Sequence, residues 1–356
     1  MSRYFSERHA KLVPYTPGEQ PRDRQFIKLN TNESPFPPSK SVLETLRGDL
    51  PERLNLYSDP TCLQLREALA KYHGVETENV SVANGSDETL AFVFLAYGDR
   101  THPFVFPDIT YGLYPVVADL YGIPYREIPL TDTLEINTDD YINTSSNIIF
   151  ANPNAPTGIA VPLSEIERIA ASNPDNIIVI DEAYVDFWGQ SAVPLTAKYD
   201  NLLVVCTYSK SRNMAGARLG YVVGSKALIA DIEAIRYSFN PYNLNSITLA
   251  AGAAALLDNA YYEDCWAKIC TVRETTKTAL RELGFAVTNS QANFLFVSHA
   301  EFSGPELLKK LRERDLLVRN LSHPRIRNWL RITVGTDEQM QAFLTAITEI
   351  LKEAEK

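Results

Sequence analysis

Lys210 is the residue of this chain whose type and position best suit covalent chemistry. It closely follows the apolar run Leu202–Cys206, where a solvated lysine is less expected than on a polar surface. A lysine amine that is removed from water loses its proton readily and becomes a nucleophile, able to form a Schiff base with an aldehyde. The alternative is an ordinary surface charge, and the position of Lys210 favours the nucleophile.

Polar, chemically useful residues follow other candidate strands as well. Four candidate strands and the segments after them form this pattern: Asn79–Val82 before Ala83–Glu88, Ile148–Ala151 before Asn152–Gly158, Ile177–Ile180 before Asp181–Tyr184, and Leu202–Cys206 before Thr207–Lys210. In an open parallel sheet, ligands bind beyond the carboxyl ends of the strands. We therefore expect these four segments to converge on one crevice.

Asp181, Tyr184 and Tyr111 suit an aromatic ligand that contains nitrogen. A carboxylate at a buried strand end needs a cationic partner to offset its desolvation. A protonated pyridine nitrogen is such a partner, and the pairing makes the ring a better electron sink. Tyr184 could hydrogen-bond an oxygen on the ring, and Tyr111 could stack on it. The alternatives are a helix cap or an ion pair for Asp181, and ordinary core positions for the tyrosines.

The segment Gly85–Asp87 is typical of an anion site at the start of a helix. Glycine permits a tight turn, and the free amides of the first helical turn bind phosphate oxygens. Ser209 and Arg218 add a hydroxyl and a guanidinium that could complete a phosphate shell. A plain capped helix explains Gly85–Asp87 about as well when the segment is considered alone.

The elements that must position these residues are short apolar strands that alternate with helical patterns, which indicates a mostly parallel sheet with crossover helices. A fifth candidate strand is Leu219–Val223, and its Val-rich composition suits burial on both faces. Between the strands, Thr61–His73 has helical spacing and Gly74 ends it. Two capping boxes are predicted to begin helices, at Ser164 with Glu167 and at Thr336 with Gln339.

From Ile247 onward, long helical patterns precede short strands. The candidate strands there are Phe285–Val287, Phe294–Val297, Leu317–Arg319 and Leu330–Val334. We predict an α/β fold with a large domain, residues 40–246, whose mostly parallel central sheet is flanked by helices. A smaller α+β domain spans residues 247–356, and an N-terminal arm, residues 1–39, packs on that domain or on a partner chain.

Composition narrows the class of function. The 356 residues carry a formal net charge of -10 and no basic run, which argues against nucleic acid and against an anionic membrane as the main partner. The longest apolar run, Leu90–Tyr97, is far below the ~18 residues of a membrane span. The four cysteines form neither a CxxC pair nor a cluster with metal-ligand spacing. We therefore expect a cytoplasmic protein with free thiols and no metal.

Taken together, these motifs resemble a known family. Asn152–Gly158, Asp181–Tyr184, Ser209–Lys210 and Arg218 match the fold-type I pyridoxal-phosphate aminotransferases in type and order. Within the family, the class II subgroup that the chain resembles is histidinol-phosphate aminotransferase. That closer resemblance depends on further segments: Leu12–Tyr15, Lys28–Glu33, Asn240–Leu244, Ala292–Phe294 and Trp329–Gly335.

The resemblance implies roles around a pyridoxal 5'-phosphate cofactor. Lys210 is the Schiff-base lysine, Asp181 pairs with the ring nitrogen, Tyr184 contacts the ring oxygen, and Tyr111 stacks on the ring. The phosphate is held by Gly85, Ser86, Asp87, Ser209 and Arg218. Tyr57 matches a tyrosine that this family lends to the neighbour's cofactor phosphate, so a homodimer with shared sites is implied.

The same resemblance implies substrate-binding residues. Arg331 would grip the carboxylate of glutamate in one half-reaction and the phosphate of histidinol phosphate in the other. Arg319 and Tyr15 would help with the phosphate, and Asn32 is expected among the substrate-binding residues. A surface charge remains an almost equal alternative for Arg319.

The chain departs from the family pattern at Ala155. The family commonly has an asparagine there, directly before Pro-Thr-Gly, and its side chain contacts the ring oxygen. Either Asn154 replaces that contact or Tyr184 makes it alone.

The predicted function is therefore amino transfer between L-histidinol phosphate and 2-oxoglutarate in histidine biosynthesis, giving imidazole-acetol phosphate and L-glutamate. Two enzymes of the same fold are the alternatives: an aromatic or broad-range aminotransferase, and a decarboxylase of the threonine-phosphate type. A cofactor-binding transcription regulator is disfavoured, since the chain is acidic and has no segment to spare for binding DNA.

Overall fold

The computed structural model describes residues 2–21 and 24–354. The strands, in chain order, are β1 (Ile27–Lys28), β2 (Val80–Ala83), β3 (Phe104–Pro107), β4 (Tyr125–Ile128), β5 (Asn147–Ala151), β6 (Ile178–Asp181), β7 (Leu202–Thr207), β8 (Gly220–Gly224), β9 (Phe285–Val287), β10 (Phe294–His299), β11 (Leu316–Leu317), β12 (Arg319–Asn320) and β13 (Leu330–Thr333). The α-helices are α1 (Lys40–Leu46), α2 (Leu63–His73), α3 (Ser86–Tyr97), α4 (Leu113–Tyr121), α5 (Leu163–Ser172), α6 (Lys226–Phe239), α7 (Ser246–Ala255), α8 (Asn259–Glu282), α9 (Gly304–Glu313) and α10 (Asp337–Ala354).

The large sheet has seven strands in the order β2-β8-β7-β6-β5-β3-β4. Within this sheet, β8 runs antiparallel to the other six strands, which are parallel to one another. Every residue of β7 is buried, and its side chains alternate between two apolar cores, with Val204 on one face and Val205 on the other. Burial on both faces explains the continuous apolar runs and confirms the predicted α/β architecture.

The five strands predicted for this sheet are all present, with ends that differ by no more than one residue. Two further strands, β3 and β4, were not predicted. The first is short and ends in Pro107, whereas the second lies at the edge of the sheet with Arg126 and Glu127 exposed. A four-residue run that ends in proline, or that carries two exposed charges, lacks the pattern of a buried strand.

The C-terminal part contains an antiparallel sheet in the order β12-β13-β10-β9. The segment Leu317–Arg319, predicted as one strand, is divided between two pairings. Leu316 and Leu317 pair with β1 of the N-terminal arm, while Arg319 and Asn320 pair with β13. The prediction of a single strand was wrong because the arm supplies a hydrogen-bonding partner from a distant part of the chain.

The long helix α8 packs against the large sheet near its start and against the C-terminal sheet farther along. Tyr262, near its start, packs with the core of the large sheet, as do Ala254 and Ala255 of α7. Ile269 and Leu280, farther along α8, pack with the core of the C-terminal sheet. The division at residue 247 stays a prediction, and these contacts favour a boundary within α8.

The N-terminal arm contacts both parts of the chain. His9 Nε2 lies 3.1 Å from the Leu120 carbonyl oxygen at the end of α4. Farther along, Ile27 and Lys28 form the parallel pair with β11. Arm residues Met1, Arg22 and Asp23 lie outside the described residues, as do Glu355 and Lys356 of the predicted small domain. The arm thus passes from the large sheet to the C-terminal sheet.

The two predicted capping boxes have different outcomes. Thr336 and Gln339 bond reciprocally, with the Thr336 N–H 3.0 Å from Gln339 Oε1 and the Gln339 N–H 3.3 Å from Thr336 Oγ. In contrast, α5 begins at Leu163 after Pro162, so Ser164 lies inside the helix and caps nothing. Among the described residues, no helix combines the length and apolar character needed to cross a bilayer.

Candidate active site

A cavity of about 620 Å³ lies where β5, β6 and β7 end, beside the first turn of α3 and the C-terminal sheet. It is lined by most of the predicted site residues: Tyr15, Asn32, Ser86, Asp87, Tyr111, Asp181, Tyr184, Ser209, Lys210, Arg218, Arg319 and Arg331. Gly85 directly precedes Ser86 at its edge. Asn154 and Tyr57 are not among the lining residues. The convergence of separate strand ends on one crevice is thus present in the structure.

Lys210 lies in this cavity with its amine turned inward. Its Nζ donates a 3.1 Å hydrogen bond to the Thr31 carbonyl and lies 6.0 Å from the centre of the Tyr184 ring. Burial lowers the pKa of Lys210 to about 8, and the nearby positive charge of Arg331 acts in the same direction. Because burial disfavours the ammonium form, the amine becomes a usable nucleophile and base near neutral pH.

Asp181 is a buried carboxylate at the end of β6. The Tyr114 hydroxyl donates to its Oδ2 at 2.8 Å, and the Ala183 N–H donates to its Oδ1 at 3.2 Å. Burial raises the pKa of Asp181 to about 6, although the hydrogen bond from Tyr114 acts in the opposite direction. A carboxylate has about four lone-pair sites, so Asp181 keeps acceptor capacity for a cationic partner in the cavity.

Tyr114 was missed in the sequence analysis. It lies three positions after Tyr111 at the start of α4, so the two side chains share one face of the chain. That spacing was the available signal. It did not identify Asp181 as the partner, because the contact joins residues that are 67 positions apart.

Asn32 reaches the site from the N-terminal arm. Its Nδ2 donates to the Tyr184 hydroxyl at 2.9 Å, and its own backbone N–H donates to Thr333 Oγ at 2.9 Å. The Asn32 backbone has a φ of 56°, in the left-handed region that few residues other than glycine adopt. Because Tyr184 accepts from Asn32, the proton of its hydroxyl is available to an acceptor in the cavity.

The structure does not bring Asn154 to the cavity. Its Oδ1 accepts from Thr110 Oγ at 2.9 Å, and its Nδ2 donates to the Ile109 carbonyl at 3.0 Å and to Thr157 Oγ at 3.2 Å. Ala155 lines the cavity instead. The side chain of Asn154 is therefore fully engaged elsewhere, which leaves Tyr184, supported by Asn32, for the contact that sequence analysis assigned to either residue.

One end of the cavity is suited to a phosphate. Gly85 has a φ of 86° and precedes the twelve-residue helix α3, whose first amides have no partner within the helix. The Arg218 guanidinium lies beside this helix start, with Nη2 2.8 Å from Asp87 Oδ2 and Nη1 3.5 Å from Ser209 Oγ. The Tyr111 hydroxyl donates to Asp87 Oδ1 at 2.8 Å. A helix N-terminus, a hydroxyl and a guanidinium thus surround one position.

The other end carries two arginines. Arg319 and Arg331 are directly opposed in the antiparallel register of β12 and β13. Arg319 donates to the carbonyls of Thr16 and Pro17 at 2.8 and 3.1 Å, and Arg331 donates to that of Asn30 at 2.9 Å. Within the described residues neither forms an ion pair, and Arg331 Nε is buried without a partner. Opposed like charges are destabilising, so a bound anion would offset their repulsion.

Tyr15 and Tyr57 have different surroundings. The ring centres of Tyr15 and Tyr111 lie 5.9 Å apart in an edge-to-face arrangement, and both rings line the cavity. Tyr57 is 84% exposed and stacks on Tyr242 with 4.5 Å between ring centres, away from the cavity of its own chain. Other exposed apolar side chains lie close to Tyr57 or Tyr242 in the sequence, and we call the set the Tyr57 patch: Leu54, Leu56, Tyr57, Leu63, Tyr237, Phe239 and Tyr242.

This arrangement can hold a planar ligand that has a phosphate at one end and a basic ring nitrogen at the buried side. The ligand would lie between Tyr111 and the floor of the cavity, with Lys210 at its reactive face. A second anionic ligand would fit against Arg319 and Arg331. The donor set therefore suits pyridoxal phosphate and an anionic substrate.

Comparison with known proteins gives the family. The family model described as aminotransferase class I and II matches residues 24–347. Histidinol-phosphate aminotransferase 2 of Dechloromonas aromatica is 48% identical over 354 residues, with 98% of this chain and 99% of the relative covered. The enzyme of the same name from Thiobacillus denitrificans is 49% identical over 347 residues, with 97% of each chain covered.

Among solved structures, histidinol-phosphate aminotransferase from Sinorhizobium meliloti, in complex with pyridoxal-5'-phosphate, superposes with a TM-score of 0.86. It shares 23% of its sequence, with 93% of this chain and 92% of that chain covered, and supports the fold. With a family model over most of its length and relatives near half identity, this chain belongs to the class I and II aminotransferases and, within them, to the histidinol-phosphate aminotransferase family.

Proposed function

We propose that this protein uses pyridoxal 5'-phosphate to transfer an amino group between L-histidinol phosphate and 2-oxoglutarate, in the step of histidine biosynthesis that interconverts them with imidazole-acetol phosphate and L-glutamate. The observation that carries the proposal is the opposed pair Arg319 and Arg331 in the same cavity as Lys210 and Asp181. Two arginines that have no acidic partner in the described part of the chain suit a substrate phosphate better than a single carboxylate. The names of the relatives support the same substrate.

The residues present fit the cofactor at each of its functional groups. The N-terminus of α3, Ser209 and Arg218 would hold its phosphate, and Tyr111 would stack on its ring. Asp181 would accept a hydrogen bond from the ring nitrogen at the buried side. Tyr184 would donate to the ring oxygen, with Asn32 fixing the orientation of the hydroxyl.

Pyridoxal phosphate, when bound, supplies an electron-withdrawing ring that accepts the electron pair left on the substrate carbon. Asp181, as a carboxylate, keeps the ring nitrogen protonated and so keeps the ring electron-poor. Lys210 Nζ removes the proton from the carbon that carries the substrate amine, which its lowered pKa permits. Throughout these steps, Arg331 binds either the substrate phosphate or the carboxylate of glutamate, because a planar guanidinium suits both anions.

Turnover of histidinol phosphate with 2-oxoglutarate tests the proposal. We expect glutamate to form with this pair faster than with phenylalanine as amino donor, because only histidinol phosphate presents an anion to both arginines. Preference for phenylalanine would favour the broad-range aminotransferase. Release of carbon dioxide from threonine phosphate, without amino transfer to 2-oxoglutarate, would favour the decarboxylase.

Changing Gly85 to alanine is expected to weaken cofactor binding by about tenfold or more. A Cβ atom at this position would lie 2.6 Å from Arg218 Nη2, at a φ that side chains rarely adopt. Arg218 would then have to leave the phosphate position. Dissociation of pyridoxal phosphate, followed by absorbance, measures the effect. Gly74→Ala is the control, because it also has a positive φ but nothing lies within 4 Å of the added atom. Equal affinities in both variants would contradict the phosphate role.

A homodimer is part of the proposal, with the Tyr57 patch as its interface. Two stacked and exposed aromatic rings, Tyr57 and Tyr242, with further exposed apolar side chains along the same two segments, suit a surface that a partner covers. Buried Arg236 holds the two segments of the patch together, since Nη2 donates to the Pro60 carbonyl at 2.9 Å and Nη1 to Asn243 Oδ1 at 3.3 Å. Tyr57 on such an interface could reach the cofactor phosphate of the neighbouring subunit.

Mixed dimers of Lys210→Ala and Tyr57→Ala chains would separate action across the interface from action within one chain. If Tyr57 serves the neighbouring site, one site of the mixed dimer has both defects and the other has none. We therefore expect activity near half that of the wild-type dimer, above that of either variant alone. Activity no higher than half that of the Tyr57→Ala dimer would place Tyr57 in its own subunit's site or in neither.

The cytoplasmic location also remains a proposal, based on the cysteine pattern.

A further inference from the structure

Tyr114 is a fully buried tyrosine of α4 for which the proposed reaction so far has no role. Its hydroxyl donates a 2.8 Å hydrogen bond to Asp181 Oδ2. Its ring meets the Tyr111 ring edge-on, with 5.8 Å between centres and 88° between planes. Tyr114 therefore contacts both the carboxylate at the buried side of the cavity and the ring proposed to stack on the cofactor.

We propose that Tyr114 is a positioning residue that aims the Asp181 carboxylate at the cofactor ring nitrogen and keeps the proton between them on the nitrogen. The inference deepens the proposed function and rests on it, because the ring is that of pyridoxal phosphate. Tyr114 acts through Asp181, since it is not among the residues that line the cavity.

The geometry of the carboxylate supports this role. Tyr114 holds one oxygen from α4, and the Ala183 N–H holds the other from the loop after β6. Two donors on different elements fix the rotation of the carboxyl group, and they leave one direction on each oxygen for a further donor. A hydroxyl that donates to a carboxylate makes a charge-assisted hydrogen bond, about twice as strong as one between neutral groups.

The electrostatic balance at Asp181 gives the hydroxyl a second effect. Burial raises the pKa of this carboxyl to about 6 and the charge of Asp87 adds to the rise, whereas Tyr114, the Ala183 amide and Lys210 oppose it. The ionisable groups that interact electrostatically with Asp181 are Asp87, Tyr114, Glu182, Tyr184, Cys206 and Lys210. Without the Tyr114 hydroxyl the carboxylate attracts a proton more strongly, so the proton shared with the ring nitrogen moves toward Asp181.

The test is Tyr114→Phe, which removes the hydroxyl and keeps the ring against Tyr111. We expect the dissociation constant of pyridoxal phosphate to rise about tenfold, the scale of one hydrogen bond to a charged group. In enzyme loaded with cofactor labelled with nitrogen-15 in the ring, we expect the nitrogen resonance to move toward that of the unprotonated ring. Tyr141→Phe is the matched control, because its hydroxyl is buried without a partner in the described part of the chain.

A double-mutant cycle with Asp181→Asn separates positioning from a general structural role. If Tyr114 acts through Asp181, then Tyr114→Phe has little further effect on cofactor affinity in the Asp181→Asn background. Full additivity of the two changes would overturn the inference, as would an unchanged nitrogen resonance in Tyr114→Phe. Failure of the wild-type protein to bind pyridoxal phosphate at all would instead overturn the proposed function.

Discussion

Replacing Lys210 by alanine is expected to reduce turnover by at least about 10⁴-fold, near the upper range for loss of a positioned acid–base group. The same change should remove the visible absorption band that the enzyme has when its cofactor is covalently held. Both effects follow from one side chain, since the Lys210 amine is proposed to be the nucleophile toward the aldehyde and the base at the substrate carbon. Steady-state kinetics and an absorption spectrum of the purified variant measure them.

Lys226→Ala is the control for Lys210→Ala. Lys226 is an exposed partner of Glu76, and surface pairs of this kind contribute about 0–1 kcal/mol to stability. We expect this variant to keep both turnover and the absorption band. Lys210→Ala should remain folded, because burial disfavours the charged form of that lysine and its loss relieves the cost. Retention of turnover and of the band in Lys210→Ala would refute the assignment of the nucleophile.

The pKa of Lys210 also predicts a pH dependence. Only the unprotonated amine reacts with an aldehyde, and the pKa of Lys210 is lowered from 10.5 to about 8. Below that value the unprotonated fraction rises about tenfold per pH unit, and above it the fraction levels off. Uptake of pyridoxal phosphate by the cofactor-free protein should therefore accelerate with rising pH and reach a plateau above about pH 8. A rate that continues to rise to pH 10 would indicate an unburied amine.

Arg319→Gln is expected to lower kcat/KM for histidinol phosphate by about 100-fold. A hydrogen bond to a charged group contributes about 1.5–3 kcal/mol, and each 1.4 kcal/mol corresponds to a factor of ten. Arg319 lies directly opposite Arg331 in the sheet, so the variant leaves one guanidinium where the proposed phosphate site has two. Reaction with histidinol, which lacks the phosphate, should change much less.

Arg319 also donates to the Thr16 and Pro17 carbonyls, so its loss could loosen the arm over the cavity. The glutamate half-reaction reports on that effect, because Arg331, the residue proposed to bind the carboxylate of glutamate, also contacts the arm through the Asn30 carbonyl. Arg327→Gln removes an equal charge from an exposed position nearby and is the control for net charge. Equal losses with histidinol phosphate, histidinol and glutamate would show that Arg319 supports the arm and does not bind the phosphate.

Much of the fold follows from local patterns in the sequence. The runs before Asn152, Asp181 and Thr207 are continuously apolar because the strands are buried on both faces, and burial of this kind can be recognised from a few neighbouring residues. Reactive residues at strand ends follow from the same pattern, since parallel strands end at one edge of the sheet. Lys210 and Asp181 could therefore be placed in one crevice without coordinates.

Local patterns also explain the errors. Ser164 with Glu167 and Thr336 with Gln339 have the same spacing, yet only the second pair caps a helix. Pro162 starts α5 earlier because its fixed φ suits the position before the first helical turn. A capping box is thus decided by where the helix begins, which the spacing of the pair alone does not specify.

Short segments of the sequence were enough to indicate the family, five of the seven strands of the large sheet and the residues proposed to carry the chemistry, because each depends on residue types and spacings within such segments. The orientation of those residues follows instead from the packing of distant segments. Asn32 and Tyr184 lie 152 positions apart, and Asn154 turns away because Ile109 and Thr110 satisfy its amide. Contacts of this kind depend on how distant segments pack, and no periodicity along the chain encodes them.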